Sequence, residues 1–171
     1  MRRLLLPALL ALAPASLGAQ SFSTTIPVNA MIVGNGITIT SLADLDFGVV
    51  TRGVPATVLP TSANAGRWEV VGTANAFVNI SFTLPALLPN TQALPGITMP
   101  ISFSVTSARW RRGNSGVGAA TPFNPNVGTT GRLGPPPRPE LYLWLGGTVS
   151  PSASQAPGVY VGNIVVTISY L

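Results

Sequence analysis

The stretch Gly158-Val-Tyr-Val-Gly-Asn-Ile-Val-Val-Thr-Ile-Ser-Tyr-Leu171 decides the fold class. Ile164, Val166, Ile168 and Tyr170 take alternate places, with small or polar residues between most of them. A period of two is the signature of a strand with one buried face. The chain thus ends in a strand that needs cover. Working backward, the same alternation recurs. Leu141 to Val149 is dense in Leu, Tyr and Trp and is interrupted by Gly146-Gly147. Ile101, Phe103 and Val105 alternate within 97–105, and Val78, Ile80, Phe82 and Leu84 within 76–84. Trp68 and Val70 share a face within 67–71, and 57–59 is a short strand candidate. Leu45, Phe47 and Val49 alternate around Gly48, and 37–40 is extended. Phe22, Thr24, Ile26, Val28, Ala30 and Ile32 alternate within 21–33, where Pro27 argues for an edge position. Asn35-Gly36 marks a turn after it.

Strands divided by Gly, Pro and Asn, with no segment of helical period, predict an all-β chain. The expected form is an immunoglobulin-like sandwich of antiparallel strands. Its single core is predicted to contain Phe47, Val70, Ile80, Phe82, Phe103, Val166 and Ile168. Residues 108–139 lack alternation and carry Arg109, Arg111, Arg112, Arg132, Arg138 and Pro135-Pro136-Pro137. They read as one long basic surface loop, with extended polyproline chain at the three prolines. Replacing that loop by a short Gly/Ser link is expected to leave the melting temperature nearly unchanged.

The opposite end reads as an export signal over residues 1–19. Arg2 and Arg3 form a basic start, Leu4 to Ala13 is apolar apart from Pro7, and the small Gly18 and Ala19 precede Gln20 at the expected cleavage point. The apolar run falls short of the about 20 residues that span a bilayer. The expectation is a single exported domain over 20–171 with no membrane anchor after cleavage, passing through the periplasm to the medium or cell surface.

Composition removes many chemistries. The chain has nine basic residues, all Arg, four acidic residues, no His and no Cys. His/Cys metal sites and Ser-His-Asp or Cys-His catalysis have no residues to use. Asp44, Asp46, Glu69 and Glu140 are the only acids. Asp44 and Asp46 lie two apart and could meet Ca²⁺ with carbonyl oxygens, but solvent-facing partners of Leu45 and Phe47 explain them better. Gly146-Gly147 has no lysine and no helix after it, so it fails as a phosphate loop. No enzyme, cofactor, metal or nucleic-acid partner is expected.

The resemblance rests on Leu45-Asp46-Phe47-Gly48, the stretch Gly66 to Phe82, a strand near Thr98-Met-Pro-Ile-Ser-Phe103, Gly146-Gly147-Thr148 and the Gly158-Val159-Tyr160 … Tyr170 ending. On these residues the chain resembles the bacterial exported DUF4402 domain family, over about 29–106 and 140–171. More distantly it resembles spore coat protein U and the pilins of the chaperone–usher route, which commonly end in a penultimate aromatic residue. Here Tyr170 is penultimate and Gly158 stands fourteenth from the end.

This resemblance implies a structural subunit of a surface filament, fimbria-like or coat assembly, joined by strand addition to identical or related subunits with a periplasmic chaperone. Phe22, Ile26, Val28 and Ile32 are the strand-donor candidates. Gly158, Tyr160, Ile164, Val166, Ile168 and Tyr170 are the terminal-strand interface candidates. The alternative is a self-contained secreted or surface-attached sandwich that binds a protein, glycan or anionic surface through Arg109, Trp110, Arg111 and Arg112.

Overall fold

The computed structural model describes residues 36–92, 97–113 and 116–171. The signal and the donor candidates Phe22, Ile26, Val28 and Ile32 lie outside the described residues. Within them the chain forms twelve strands and one 3-10 turn, Val117–Ala119. The strands are β1 (Thr38–Ala43), β2 (Ala56–Val58), β3 (Gly66–Val71), β4 (Phe77–Thr83), β5 (Leu87–Pro89) and β6 (Thr98–Ser102). After them come β7 (Ala108–Arg112), β8 (Thr121–Phe123), β9 (Thr129–Arg132), β10 (Glu140–Leu145), β11 (Gly147–Val149) and β12 (Val165–Tyr170).

The class is all-β, and every strand pair is antiparallel. The strands form three sheets, in the orders β1-β3-β10-β7-β8, β2-β11-β6-β5 and β12-β4-β9. The chain passes from one sheet to another between successive strands. β10 ends at Leu145 in the five-stranded sheet, and β11 begins at Gly147 in the four-stranded one. Gly146 is the corner between them.

Alternation explains the burial. Leu141, Leu143 and Leu145 of β10 are each fully buried, and Val70 lies opposite Leu141 on β3. Val78 and Ile80 of β4 meet them from the three-stranded sheet. Ala108, Phe123 and Leu133 complete this cluster, and Phe82, Val166 and Ile168 pack half-buried against it. A second cluster comprises Leu88, Met99, Ile101 and Val149, with Phe47 and Tyr160 against it. Phe103 touches both clusters. The predicted core residues thus divide between two cores, with Phe47 in the second.

Two local expectations change. Residues 45–49 form no strand. Gly48 sits at φ +61, and its amide bonds the Asp46 carboxylate at 2.8 Å, an Asx turn that breaks the extension. The stretch 108–139 is not a structureless loop, because it contains β7, β8 and β9. Phe123 stacks on Phe82 at 6.1 Å, and Leu133 is fully buried. Strands of three or four residues rich in Thr, Gly and Arg carry too few apolar positions to show a period. The three prolines form a turn, closed by the Arg138 amide on the Pro135 carbonyl at 3.1 Å.

Candidate functional site

Among the described residues six strands lie at sheet edges, and two of them stand apart from the rest. An edge strand presents unpaired backbone groups, and proteins usually blunt such edges with proline, charge or short length. Here β8 carries Pro122, β5 carries Pro89, β9 carries Arg132, and the three-residue β2 follows Pro55. β1 and β12 are six residues each, Thr-Ile-Thr-Ser-Leu-Ala and Val-Val-Thr-Ile-Ser-Tyr, with neither proline nor charge. Both also expose apolar side chains: Ile39 and Leu42 on β1, and Val165 on β12.

A cleft of about 1130 Å³ runs from Ser41 of β1 to Ile164, the residue before β12. Its lining includes Leu45, Phe47, Trp68, Leu88 and Ile101. Val49, Val159 and Val161 also line it and are exposed, with Val49 fully so. Asp44, Asp46, Arg52 and Asn163 share the lining, so the cleft is mixed, and covering its apolar part would contribute about 25 cal/mol per Å².

The terminal-strand candidates fall into two places. Ile164, Val166 and Ile168 are half-buried on the first core. Tyr170 anchors the end of β12, its hydroxyl accepting from the Thr73 amide at 2.8 Å and donating to Thr73 Oγ1 at 3.1 Å. Gly158 and Tyr160 are not on β12. Tyr160 bridges Asn90 beyond β5, and Gly158 holds φ +142 with Asn90 against it. The positive φ is what calls for glycine here, since the Asn90 side-chain end that a Cβ would meet can swing aside.

One buried amide organises this corner. Gln155 is 8% exposed and donates Nε2 to the Tyr160 hydroxyl at 2.6 Å and to the Thr98 carbonyl at 3.1 Å. Tyr160 in turn donates to the Ala156 carbonyl at 2.7 Å. Sequence reading missed Gln155, since a lone glutamine in a turn-rich link carries no pattern. Gln155→Leu strands these partners and is expected to cost about 1–3 kcal/mol. A urea unfolding midpoint unchanged from the parent would refute that role.

The basic candidates do not form one surface. β7 alternates, so Arg109 and Arg111 pair across to Trp144 and Tyr142, while Trp110 packs half-buried against the first core. Arg109 Nη1 donates to the Ala120 carbonyl at 3.2 Å, and Arg111 Nη1 to the Gly116 carbonyl at 2.7 Å. Both guanidinium groups hold the chain's own turn. Arg112 is exposed. Trp144 is buried, and its ring lies 6.3 Å from that of Tyr142.

Next to them the Tyr142 hydroxyl lies 2.6 Å from Glu69 Oε1 and 3.0 Å from Glu140 Oε2. The Glu69 bond, burial and the second carboxylate together hold the phenol's proton well above its ordinary pKa. A raised pKa contributes stability in full below the ordinary value of about 10 and loses it as pH climbs past that value. Tyr142→Phe is therefore expected to lower stability at pH 7 by about 1 kcal/mol. It should also remove part of the parent's decline above pH about 10. Denaturant melts of both proteins at pH 7 and 10.5 check this, and equal alkaline declines would refute it. Among the described residues no group of three or more acids could hold a metal ion.

The family model for DUF4402, a domain of unknown function, matches residues 50–170. The chain belongs to this family. No curated protein matches it. The matched span of the DUF4402 domain takes in β12, the cleft's distal wall and the Gly146 corner, but begins after β1. Membership supports a structural or adhesive β-domain. No helix among the described residues is long and apolar enough to cross a membrane.

Proposed function

We propose that this DUF4402 domain is a non-enzymatic structural subunit of a bacterial cell-surface assembly, fimbria-like or coat-like. It is exported by the signal at residues 1–19, and its copies join by strand addition. The observation that carries the reading is the pair of six-residue, proline-free, uncharged edges β1 and β12, where four other edges carry or adjoin proline or charge. Backbone pairing at such an edge supplies affinity, and alternate side chains entering apolar sites supply specificity. Two different edges, with no further strand beside them among the described residues, also suit a head-to-tail, self-propagating contact. The resemblance to pilins and spore coat protein U supports the same reading.

The donor is the alternating segment 21–33, whose Phe22, Ile26, Val28 and Ile32 supply the apolar side chains. Identical or related subunits are the partners, with a chaperone guarding the edges before assembly. The alternative, adhesion through the basic residues, has less support, because Arg109 and Arg111 are engaged with their own chain.

The test is the mass of the mature chain 20–171 by light scattering, beside a form starting at residue 34. The longer form should grow into multimers, and the shorter should remain a β-rich monomer. If both stay monomeric under all conditions, the subunit reading fails.

A further inference from the structure

Alternation on the three-stranded sheet defines two faces at once. Val78, Ile80, Phe82, Val166 and Ile168 turn to the first core. The residues between them therefore point away from it. On β4 these are Asn79, Ser81 and Thr83, on β12 Thr167 and Ser169, and on β9 Thr130, all of them exposed. The register sets them in rows. Ser169, Asn79 and Thr130 lie side by side, Thr167 lies beside Ser81, and Val165 beside Thr83.

Phe77 and Arg132 close one end of this face as a cross-strand pair. Phe77 is 54% exposed, and the Arg132 guanidinium lies 5.1 Å from its ring centroid. Arg132 is held there by its Nε, which donates to the Asn75 carbonyl at 2.9 Å. From Phe77 to Thr83 the face runs about 20 Å, and three strands make it about 10 Å wide.

The outer face of the five-stranded sheet is built differently. The rows of β3, β10 and β7 bring Arg67, Glu69, Glu140, Arg109 and Arg111 to it. Among the described residues, the three-stranded face has no acid, and Arg132 is its one base. Its polar groups are also largely uncommitted. Among the described residues the side chains of Asn79, Thr83, Thr130, Thr167 and Ser169 make no hydrogen bond, and Ser81 Oγ makes a long one to the Thr167 carbonyl at 3.5 Å. Each of these hydroxyl and amide groups can both donate and accept.

This pattern selects one class of partner. Protein interfaces bury an apolar centre inside a polar rim. Here the centre is hydroxyl and amide, and the apolar Phe77 and Val165 stand at opposite ends. Nucleic acids need several cations to meet their phosphates, and a lipid surface needs an apolar contact face. We propose that the outer face of β12, β4 and β9 binds a neutral polysaccharide lying extended along β4. A sugar polymer is dense in hydroxyls that donate and accept, as these side chains do. Its C–H faces stack on an aromatic ring, and Phe77 offers one held in place by Arg132. A strip two to three strands wide suits a length of polymer chain better than a chain end. A strand added beside β12 would lie in the plane of the sheet and widen the face without covering it. The inference thus goes beyond the subunit reading and holds without it.

Affinity electrophoresis tests this with the chain 20–171 in gels containing hydroxyethylcellulose, glucomannan or mixed-linkage β-glucan. At least one of these neutral polymers should retard the chain, and added salt should not relieve the retardation, because no ion pairs are screened. Phe77→Ala should weaken binding about tenfold. Ser81→Lys, which raises a long charged side chain at the centre of the face, should abolish it. Arg67→Ala, on the outer face of the other sheet, should bind as the parent does. Circular dichroism melts establish that each variant is folded. No retardation in any of the three gels would overturn the proposal. So would parental binding by folded Ser81→Lys, or equal losses in Phe77→Ala and Arg67→Ala. Retardation confined to a gel of anionic alginate and lost on adding salt would also overturn it, because the attraction would then belong to the chain's net charge. Salt-resistant binding by a chain that never assembles would uphold the glycan face while the subunit reading falls.

Discussion

A chain in which a short Gly/Ser link replaces residues 113–133 is expected to show no cooperative thermal transition. The excised segment carries Phe123 and Leu133, both within the first core. Truncating one buried large apolar side chain costs about 2–5 kcal/mol. The replacement removes two, and Pro125 beside them is also fully buried. It also removes β9, which pairs with β4 along Phe77 to Ile80 and leaves that strand unpaired on one side. Native domains are stable by only about 5–15 kcal/mol, so the sum of these losses exhausts the margin. Circular dichroism melts of parent and variant decide the matter. A variant melting within a few degrees of the parent would return the segment to the status of a dispensable loop, and would reopen the adhesion alternative.

What the sequence made legible was the strands that alternate over five or more residues. β3, β4 and β10 each place an apolar residue at every second position, so Val70, Ile80 and Leu143 announce their burial. β8 and β9 announce nothing. Thr-Pro-Phe and Thr-Thr-Gly-Arg each have too few apolar side chains for a period, and their pairing is set by β7 and β4 rather than by local pattern. The Leu45-Asp46-Phe47-Gly48 run misleads in the other direction. Its alternation is real, since Leu45 and Phe47 both line the cleft, but the Asx turn at Asp46 and the positive φ of Gly48 replace ladder pairing.

The candidate site follows the same rule. Ile164, Val166 and Ile168 were visible as one face of a strand, and they do share one. Gly158 and Tyr160 lie near them in sequence, yet Tyr160 pairs with Asn90, beyond β5. No local signal marks where a strand leaves one sheet for another. β1 was readable as extended, but its exceptional character is relational. It emerges only when the other edges are known to be blunted.

Replacing Gly146 with alanine should lower the melting temperature by roughly 10 °C or more, corresponding to a loss of about 3 kcal/mol. Gly146 lies at the corner where the chain passes from β10 to β11, and its amide bonds the Ser107 carbonyl at 2.8 Å. A Cβ there would overlap the Val58 carbonyl oxygen and come within 2.8 Å of the Pro60 nitrogen and 2.9 Å of the Leu59 carbonyl carbon. All three are backbone atoms, so no side chain can swing aside to make room. Relief requires β2 to move away from β11, which breaks the pairs Gly147–Val58 and Thr148–Thr57 and the hydroxyl contact between Thr57 and Thr148 at 2.8 Å. Val149, fully buried in the second cluster, is on β11, the strand that loses this partner. Gly118 supplies the control. A Cβ at Gly118 meets nothing within 4 Å, so Gly118→Ala should hold or slightly raise stability, by up to about 1 kcal/mol. Thermal melts of the two alanine variants beside the parent separate a general effect of losing glycine from the specific collision at the corner. If both variants melt alike, the close approach of β2 to the β10–β11 corner is not a constraint on the fold. If only Gly146→Ala falls, the Gly-Gly-Thr sequence is explained by backbone crowding where one strand serves two sheets, with no ligand required.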